Sequence, residues 1–433
     1  MYDERLLHYV WKHRIFPLRQ LVTTDGQSVE VVDTGLYNTD SGPDFFNAKV
    51  KIGSTLWVGN VELHRRSSDW FVHAHDRDPR YDNVVLHVAE TVDAEVMCHN
   101  GNRPPQMQLS VPENVLCNYE ELLSVDKYPP CRKAIAAMSR IEIHSWMSAL
   151  LAERLGQKNR AIERRVERCG GSWEDALFVT LARNYGFGTN GEAFETWAST
   201  VGLNHAAHHR DNLFQIEALF FGQAGLLDDA SVPRSHRCES LADDYYGRLK
   251  TEYAYLAHKF SIAPMDFRQW RFLRMRPQNF PYIRLSQLAR LYHSRRATLR
   301  SLVEADTFDA VRRLLTTEVT PYWRTHYVFG VESVESDKSL SRSSVDLLVV
   351  NTVVPMLFAY GRYKGSERLC DRAMGFLEQL RAEDNTIVRV WSECGLSAEN
   401  AGDSQALIQL KKAYCDPKEC LRCRIGHFKI VSI

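Results

Sequence analysis

No run of about 18 apolar residues occurs in this sequence, so no membrane-spanning helix is expected. Met1-Tyr2-Asp3-Glu4-Arg5 is not a basic segment leading into an apolar one, so no secretory signal is expected either. The ten cysteines are therefore expected as thiols or metal ligands rather than disulfides, and the location as cytoplasmic, without a membrane partner. There is no Gly-x4-Gly-Lys-Ser/Thr loop and no Gly-x-Gly-x-x-Gly opening a helix, which argues against nucleotide cofactors. Gly186-Phe187-Gly188-Thr189-Asn190-Gly191 lacks the third-glycine spacing and a preceding strand, and reads as a loop between helices. No Gly-x-Ser-x-Gly elbow, short-period repeat or low-complexity tract is found.

Net charge is absent too, with 54 Lys+Arg against 54 Asp+Glu, but the balance is uneven along the chain. Residues 1–130 carry 12 basic and 19 acidic side chains, a net of −7, and seven of the 16 histidines. The rest carries 42 against 35, a net of +7. The front is acidic and histidine-rich, as a cation site would be; the back is basic, as a polyanion-binding surface would be.

A length of 433 residues suits about two or three domains. Residues 1–130 read mainly as strands. Ser28–Asp33 is a β-branched run, and Gly35 with the Asn38–Pro43 cluster signals a turn. In Phe45–Ile52, Ala48, Val50 and Ile52 share one face and Lys49 and Lys51 the other. Gly53-Ser54 then turns the chain into Leu56–His64, which makes a hairpin. Asn83–Glu90 is a further strand, and one or two more are expected between Val92 and Val111. Tyr128-Pro129-Pro130 marks a boundary. Beyond it the periodicity is helical, starting at the capping box Ser139-Arg140-Ile141-Glu142, with further helices around 192–200, 212–227, 240–260, 284–303, 306–317, 343–361, 366–381 and 402–413. The fold class is α+β: a mixed sheet over 1–130, then an all-α region over 131–433 ending in a cysteine-rich tail.

Side chains two apart on a strand share a face, so Glu62 and His64 project together, and Asp44 reaches them if the two strands pair. Two carboxylates suit Mg²⁺ or Mn²⁺, and His64 would orient or deprotonate a water. Pro43-Asp44, a hairpin and Glu62-x-His64 resemble the active-site hairpin of the PD-(D/E)XK nuclease superfamily. That resemblance covers about residues 1–100. It implies a mixed αβ core and metal-dependent phosphodiester cleavage, with Asp44 and Glu62 as metal ligands. His64 stands where the pattern has lysine; Lys49, Lys51 or Arg65 are the substitutes to consider, with Arg65 on the opposite face. An upstream glutamate belongs to some of these sites, with Glu4 and Glu30 as candidates. The whole chain also resembles a bacterial family of unknown function, DUF2851, through Asp40-Ser41-Gly42-Pro43-Asp44-Phe45, Gly59-Asn60-Val61-Glu62-Leu63-His64, Ser68-Asp69-Trp70 and the terminal cysteines. No activity follows from that likeness.

Three further groups carry chemistry. His73, His75 and His87 are either a second metal site or ordinary polar surface with a strand histidine; the missing i,i+4 spacing favours surface for His73 and His75. Phe267–Arg300 holds nine arginines and no Lys, Asp or Glu, interleaved with Trp270, Phe272, Phe280, Tyr282 and Tyr292. Arg268, Arg271, Arg274, Arg276 and Arg284 are expected to grip phosphates of DNA or RNA while rings stack on bases, with the first four on a helix. Cys415-x4-Cys420-x2-Cys423-x3-His427 suits zinc, or an iron–sulfur cluster if Cys394 or Cys370 adds a thiolate. The leading expectation is a metal-dependent nuclease using Asp44, Glu62 and His64. The alternatives are a non-catalytic nucleic-acid-binding scaffold, or a transition-metal hydrolase of a small substrate built on His64, His73, His75 and His87.

Overall fold

In the computed structural model the described residues are 3–16, 21–124 and 129–432. The architecture is α+β, and the chain divides into two compact units. The first comprises Met1–Trp146, Arg389–Ser397 and Leu407–Ile433; the second comprises Met147–Val388 and Ala398–Ala406. The boundary at 130 is therefore displaced. Tyr128 lies outside the described residues, and the tail belongs with the sheet unit. The reason is in the side chains: Asn118 donates to the carbonyls of Ile430 and Ser432, and Lys429 pairs with Glu121 at 2.8 Å.

The sheet unit opens with helix α1 (Arg5–Lys12), which buries Leu6, Leu7, Val10 and Trp11. Strands β1 (Val29–Asp33), β2 (Leu36–Tyr37), β3 (Phe45–Ile52) and β4 (Thr55–Arg66) follow, then a short helix α2 (Asp69–Val72), β5 (Val84–Thr91) and β6 (Gln106–Gln108). The spatial order is β1-β3-β4-β5-β6, with β2 beside β3. β1, β3 and β4 pair antiparallel; β4, β5 and β6 pair parallel, so the sheet is mixed. Gly53-Ser54 closes the β3–β4 hairpin, with Ile52 opposite Thr55 and Gly53 at φ +60°. As the alternation predicts, Ala48, Val50 and Ile52 are buried and Lys49 and Lys51 exposed. Only one short strand, β6, lies between Val92 and Val111.

Two irregularities shape the site. The β3–β4 register slips between Phe45 and Ala48, where Asn47 takes a positive φ of 54°, so the start of β3 is bulged. Gly59, on β4, lies so close to β5 that a Cβ there would sit 2.3 Å from Val85 Cγ1 and 2.8 Å from the Asn83 carbonyl. Glycine alone allows that approach, where the β4–β5 register also shifts.

The second unit is mainly helical around a continuous apolar core that includes Trp197, Phe220, Phe221, Tyr282, Trp323 and Leu357. A two-stranded ribbon, His326–Val328 with Val331–Glu332, interrupts it, so the region is not wholly helical. The expected helix 284–303 is split into Pro281–His293 and Leu299–Glu304, the second opened by a Thr298–Ser301 capping box. Among the described residues one helix, Arg342–Lys364, is long and apolar enough to cross a membrane, but 67% of its apolar window is buried inside the protein. Its ladder widens to π over Val349–Val353, close to Pro355, which has no N–H to give.

Candidate metal centre

Asp44 and Glu62 are brought together as the hairpin predicts. The Asp44 N–H donates to Glu62 Oε2 at 2.9 Å, and the Leu63 N–H donates to Asp44 Oδ2 at 2.9 Å. Among the described residues no Lys or Arg forms an ion pair with either carboxylate. Burial raises both carboxyl pKa values; for Glu62 the nearby Asp44 charge adds to the rise, which takes it well above the usual range. The neighbours are histidines. His8 Nε2 lies 3.3 Å from Asp44 Oδ2, and His75 Nε2 lies 3.2 Å from Glu62 Oε1. Both nitrogens are buried and neither is aligned for a hydrogen bond.

The ligand atoms form two adjoining groups. Those of Glu4, His8 and Asp44 lie within 4.8 Å of one another, as do those of His64, His73 and His75. Glu62 links the groups: one oxygen takes the Asp44 N–H, while the other lies 3.2 Å from His75 and 3.8 Å from His64. A buried and a half-buried acid with no cationic side chain paired to them among the described residues, facing nitrogens that lack a hydrogen bond, fit a divalent ion. Asp44, Glu62, His8, His73 and His75 are the residues that would hold it. Such a mix of carboxylate and imidazole favours Mn²⁺ or Zn²⁺ over Mg²⁺.

His75 is thus buried in the site, while His73 is exposed at its edge with its ligand atom within 4.8 Å of those of His64 and His75. Ala74, between them, adopts a left-handed conformation (φ 59°, ψ 31°), which reverses the chain and turns both rings toward His64. No i,i+4 spacing is needed because the turn does the work of a helix. His75 also stacks on Tyr81 at 3.8 Å, and burial with neighbouring His73 lowers its pKa to about 4.

The role of His64 follows from its partners. Gln106 Nε2 lies 3.1 Å from the Ala94 carbonyl, so this atom must be the amide nitrogen. It also lies 3.3 Å from His87 Nδ1, which must then accept. His87 Nε2 therefore carries the proton and donates to His64 Nδ1 at 2.9 Å. His64 is left with its proton on Nε2, directed into the site, where His73 Nδ1 lies 3.2 Å away. Burial, then the other histidines, lowers the His64 pKa to about 2, and burial lowers that of His87 to about 3. His64 is thus a neutral N–H donor, unlike a lysine in the same place.

The remaining candidates fall as follows. Arg65 faces away and pairs with Glu90 at 3.3 Å; Lys49 and Lys51 are exposed on β3. Glu30 is exposed opposite Lys51, whereas Glu4 joins the site. His8 and Gln106 were not anticipated. The signal for His8 was its i,i+4 relation to Glu4 on an amphipathic helix, 3.6 Å apart across Oε1 and Nε2. Burial pulls the His8 pKa down, but Glu4 and Asp44 together outweigh it and hold it above the ordinary value.

The arginine-rich segment differs from expectation. Residues 267–276 form a 3₁₀ turn and loop, not a helix, because buried Trp270 pins them through its Nε1–H to the Ala224 carbonyl at 2.8 Å. Tyr282 is buried against Trp323, and Phe272 packs between Phe280 and Tyr282, so these rings serve the core rather than bases. Arg284 is also withdrawn: its guanidinium is buried, bonded to Gln287 and Asn279 and stacked on Phe187. Arg271, Arg274 and Arg276 are exposed, and Arg268 pairs with Asp266 at 3.0 Å. At the tail, His427 turns to Tyr9, with Nδ1 2.6 Å from the hydroxyl, and packs on His13. Cys131 takes the place expected for His427 beside Cys415, Cys420 and Cys423.

No curated protein and no solved structure matches this chain. One family model does, over residues 4–386, which is most of the chain, and the protein accordingly belongs to the family described as Protein of unknown function (DUF2851).

Proposed function

We propose that the protein is a metal-dependent phosphodiesterase acting on nucleic acid, with Asp44 and Glu62 at its centre. The observation that carries this reading is the interlocked pair of carboxylates, Glu62 buried and Asp44 half-buried, facing imidazole nitrogens, with no Lys or Arg paired to them among the described residues. The mixed sheet, with Asp44 at the start of β3 and Glu62-x-His64 on β4, is what the resemblance to the PD-(D/E)XK hairpin implies. A bound divalent cation supplies Lewis acidity and a water of lowered pKa at such a centre.

The chain's own groups do the rest. Asp44 and Glu62 provide the negative charge that fixes the cation, and neither can swing away without giving up a main-chain hydrogen bond. His64, held by His87 and Gln106, presents a fixed N–H that can donate to a phosphate oxygen as charge develops on it. Being neutral, it lends no net charge, so the cation must carry the electrostatic share that a lysine would provide. Arg268, Arg271, Arg274 and Arg276, exposed on the second unit, suit a polyanion.

The test is cleavage of a mixed panel of DNA and RNA with Mn²⁺, Zn²⁺ or Mg²⁺ by wild type and Asp44→Asn. Metal-dependent cleavage by wild type alone is expected. No cleavage by wild type, or equal cleavage by both, overturns the reading. The imidazoles of His73 and His75 beside Glu62 favour a second reading, a transition-metal hydrolase of a small phosphodiester. Turnover of bis(p-nitrophenyl) phosphate with no cleavage of any nucleic acid would select it.

A further inference from the structure

The tail cysteines assemble a second site within the sheet unit. Cys420-Leu421-Arg422-Cys423 is a 3₁₀ turn, with the Cys423 N–H donating to the Cys420 carbonyl at 3.2 Å. Cys423 then precedes the helix Arg424–Val431. Gly426 is required there, since a Cβ would sit 2.2 Å from the Cys420 carbonyl oxygen. Burial raises the pKa of the Cys423 thiol above its ordinary value, so a thiolate there requires a bound cation to stabilise it.

Cys131, nearly 300 residues earlier, faces this turn. Cys131, Cys415, Cys420 and Cys423 all line one cavity of about 130 Å³, whose other walls include Leu122, Leu123, Pro130 and Tyr414. Cys131 and Cys423 are buried, and Cys415 and Cys420 half-buried. The cavity is largely apolar, with Lys418 as its one charged lining residue. Size and spacing discriminate between occupants. Tetrahedral zinc, at a Zn–S distance of about 2.3 Å, draws its sulfurs to about 3.8 Å from one another and leaves no void between them. No three of these sulfurs lie within 4.8 Å of one another. A cluster core sits between its thiolates and holds them farther apart.

We propose that Cys131, Cys415, Cys420 and Cys423 ligate a four-iron, four-sulfur cluster in this cavity. On ligation each thiol loses its proton to solvent and bonds one iron; no electron transfer is required. The cluster staples the chain end to Cys131, so its role is structural. Cys394, the remaining cysteine near Cys131, does not line the cavity and is not a ligand.

The test is anaerobic purification of the full chain, followed by reconstitution with ferric and ferrous iron in equal amounts and sulfide, which together make up the oxidised core without any further oxidant. Iron, zinc and acid-labile sulfide are then measured, with visible absorption before and after dithionite. About four iron and four sulfide per chain are expected, with absorption that bleaches on reduction. Cys131→Ser should lose most of that iron, while Cys394→Ser and Cys238→Ser retain it. Circular dichroism identifies a variant that has lost its fold, and the wild-type analysis stands without any variant. Stoichiometric zinc without sulfide, no iron after reconstitution, or full iron in a folded Cys131→Ser overturns the proposal.

Discussion

Asp44 and Glu62 hold each other through the main chain: the N–H of Asp44 binds the Glu62 carboxylate, and the N–H that follows Glu62 binds the Asp44 carboxylate, both at 2.9 Å. Two like charges are thus fixed side by side in a buried place, and the strands cannot relax them apart. That arrangement disfavours the apo protein and favours one with a cation between the acids.

Asp44→Asn separates these effects. The amide oxygen still accepts from Leu63, so the hairpin survives. Both carboxyl pKa values are raised in the folded state, so the folded chain keeps protons that the unfolded chain releases, and apo stability falls as pH rises past the ordinary carboxylate range. Removing one charge relieves this, and the apo variant should melt higher than wild type at pH 8. Saturating Mn²⁺ or Zn²⁺, at about 100 times Kd, should stabilise wild type by about 3 kcal/mol and Asp44→Asn by far less. Cleavage should fall by more than about 100-fold. Melting curves with and without metal decide it; an undiminished metal shift in the variant would contradict the site.

Gln106 sets the proton on His64 from two residues away. Gln106→Ala removes the donor to both His87 Nδ1 and the Ala94 carbonyl. His87 is then free to reverse its tautomer, which moves the His64 proton from Nε2 to Nδ1 and leaves a lone pair where an N–H had pointed. Activity should drop by about 10- to 100-fold through kcat with KM little changed, and stability by about 1–3 kcal/mol. A nitrogen-resolved NMR spectrum of the histidine rings should show the tautomer change. Unaltered His64 and His87 signals would show that Gln106 does not set the chain.

Glu217 lies in the helical unit, 3% exposed, accepting from Thr320 Oγ1 at 2.5 Å and from Tyr245 OH at 2.7 Å. Burial raises its pKa from 4.5 to about 7, against the two hydroxyls, which lower it. Below about pH 4.5 both folded and unfolded chains hold the proton, and nothing is lost. Between about 4.5 and 7 the unfolded chain releases it first, so stability falls as pH rises; above about 7 the loss is complete, at roughly 3 kcal/mol. Glu217→Gln should match wild type near pH 4 and exceed it at pH 8. Urea denaturation across that range measures the difference, and parallel curves at all pH values would refute the assignment.

What the sequence disclosed and what it hid divide along physical lines. The β3–β4 hairpin was legible because alternation and Gly53-Ser54 act locally, and so Asp44 and Glu62 were legible with it. The approach of His73 and His75 to His64 was hidden because the turn that unites them depends on Ala74 at positive φ, a conformation an alanine does not advertise. His8 joins the site only through tertiary packing of α1. Cys131 was invisible for the same reason, being separated from Cys415 by most of the chain. Arg284 was misread because composition cannot say which arginine of nine is turned inward.

Two glycines test opposite uses of the missing side chain. Gly59→Ala would force a methyl against Val85 and the Asn83 carbonyl, where β4 and β5 are in contact. Neither strand can yield without disturbing the Glu62–His87 pairing, so a loss of about 1–3 kcal/mol is expected, with weaker metal binding in proportion. Gly375 lies inside the helix Glu367–Gln379, and a methyl added there would meet nothing within 4 Å. There glycine only adds freedom to the unfolded chain, and Gly375→Ala should stabilise by about 0.5–1 kcal/mol without touching the metal site. Denaturant midpoints of the two variants and of their combination should be additive, because the sites lie in different units. A neutral Gly59→Ala would mean that the β4–β5 contact is looser than the structure has it, and the placement of His87 behind His64 would lose its support.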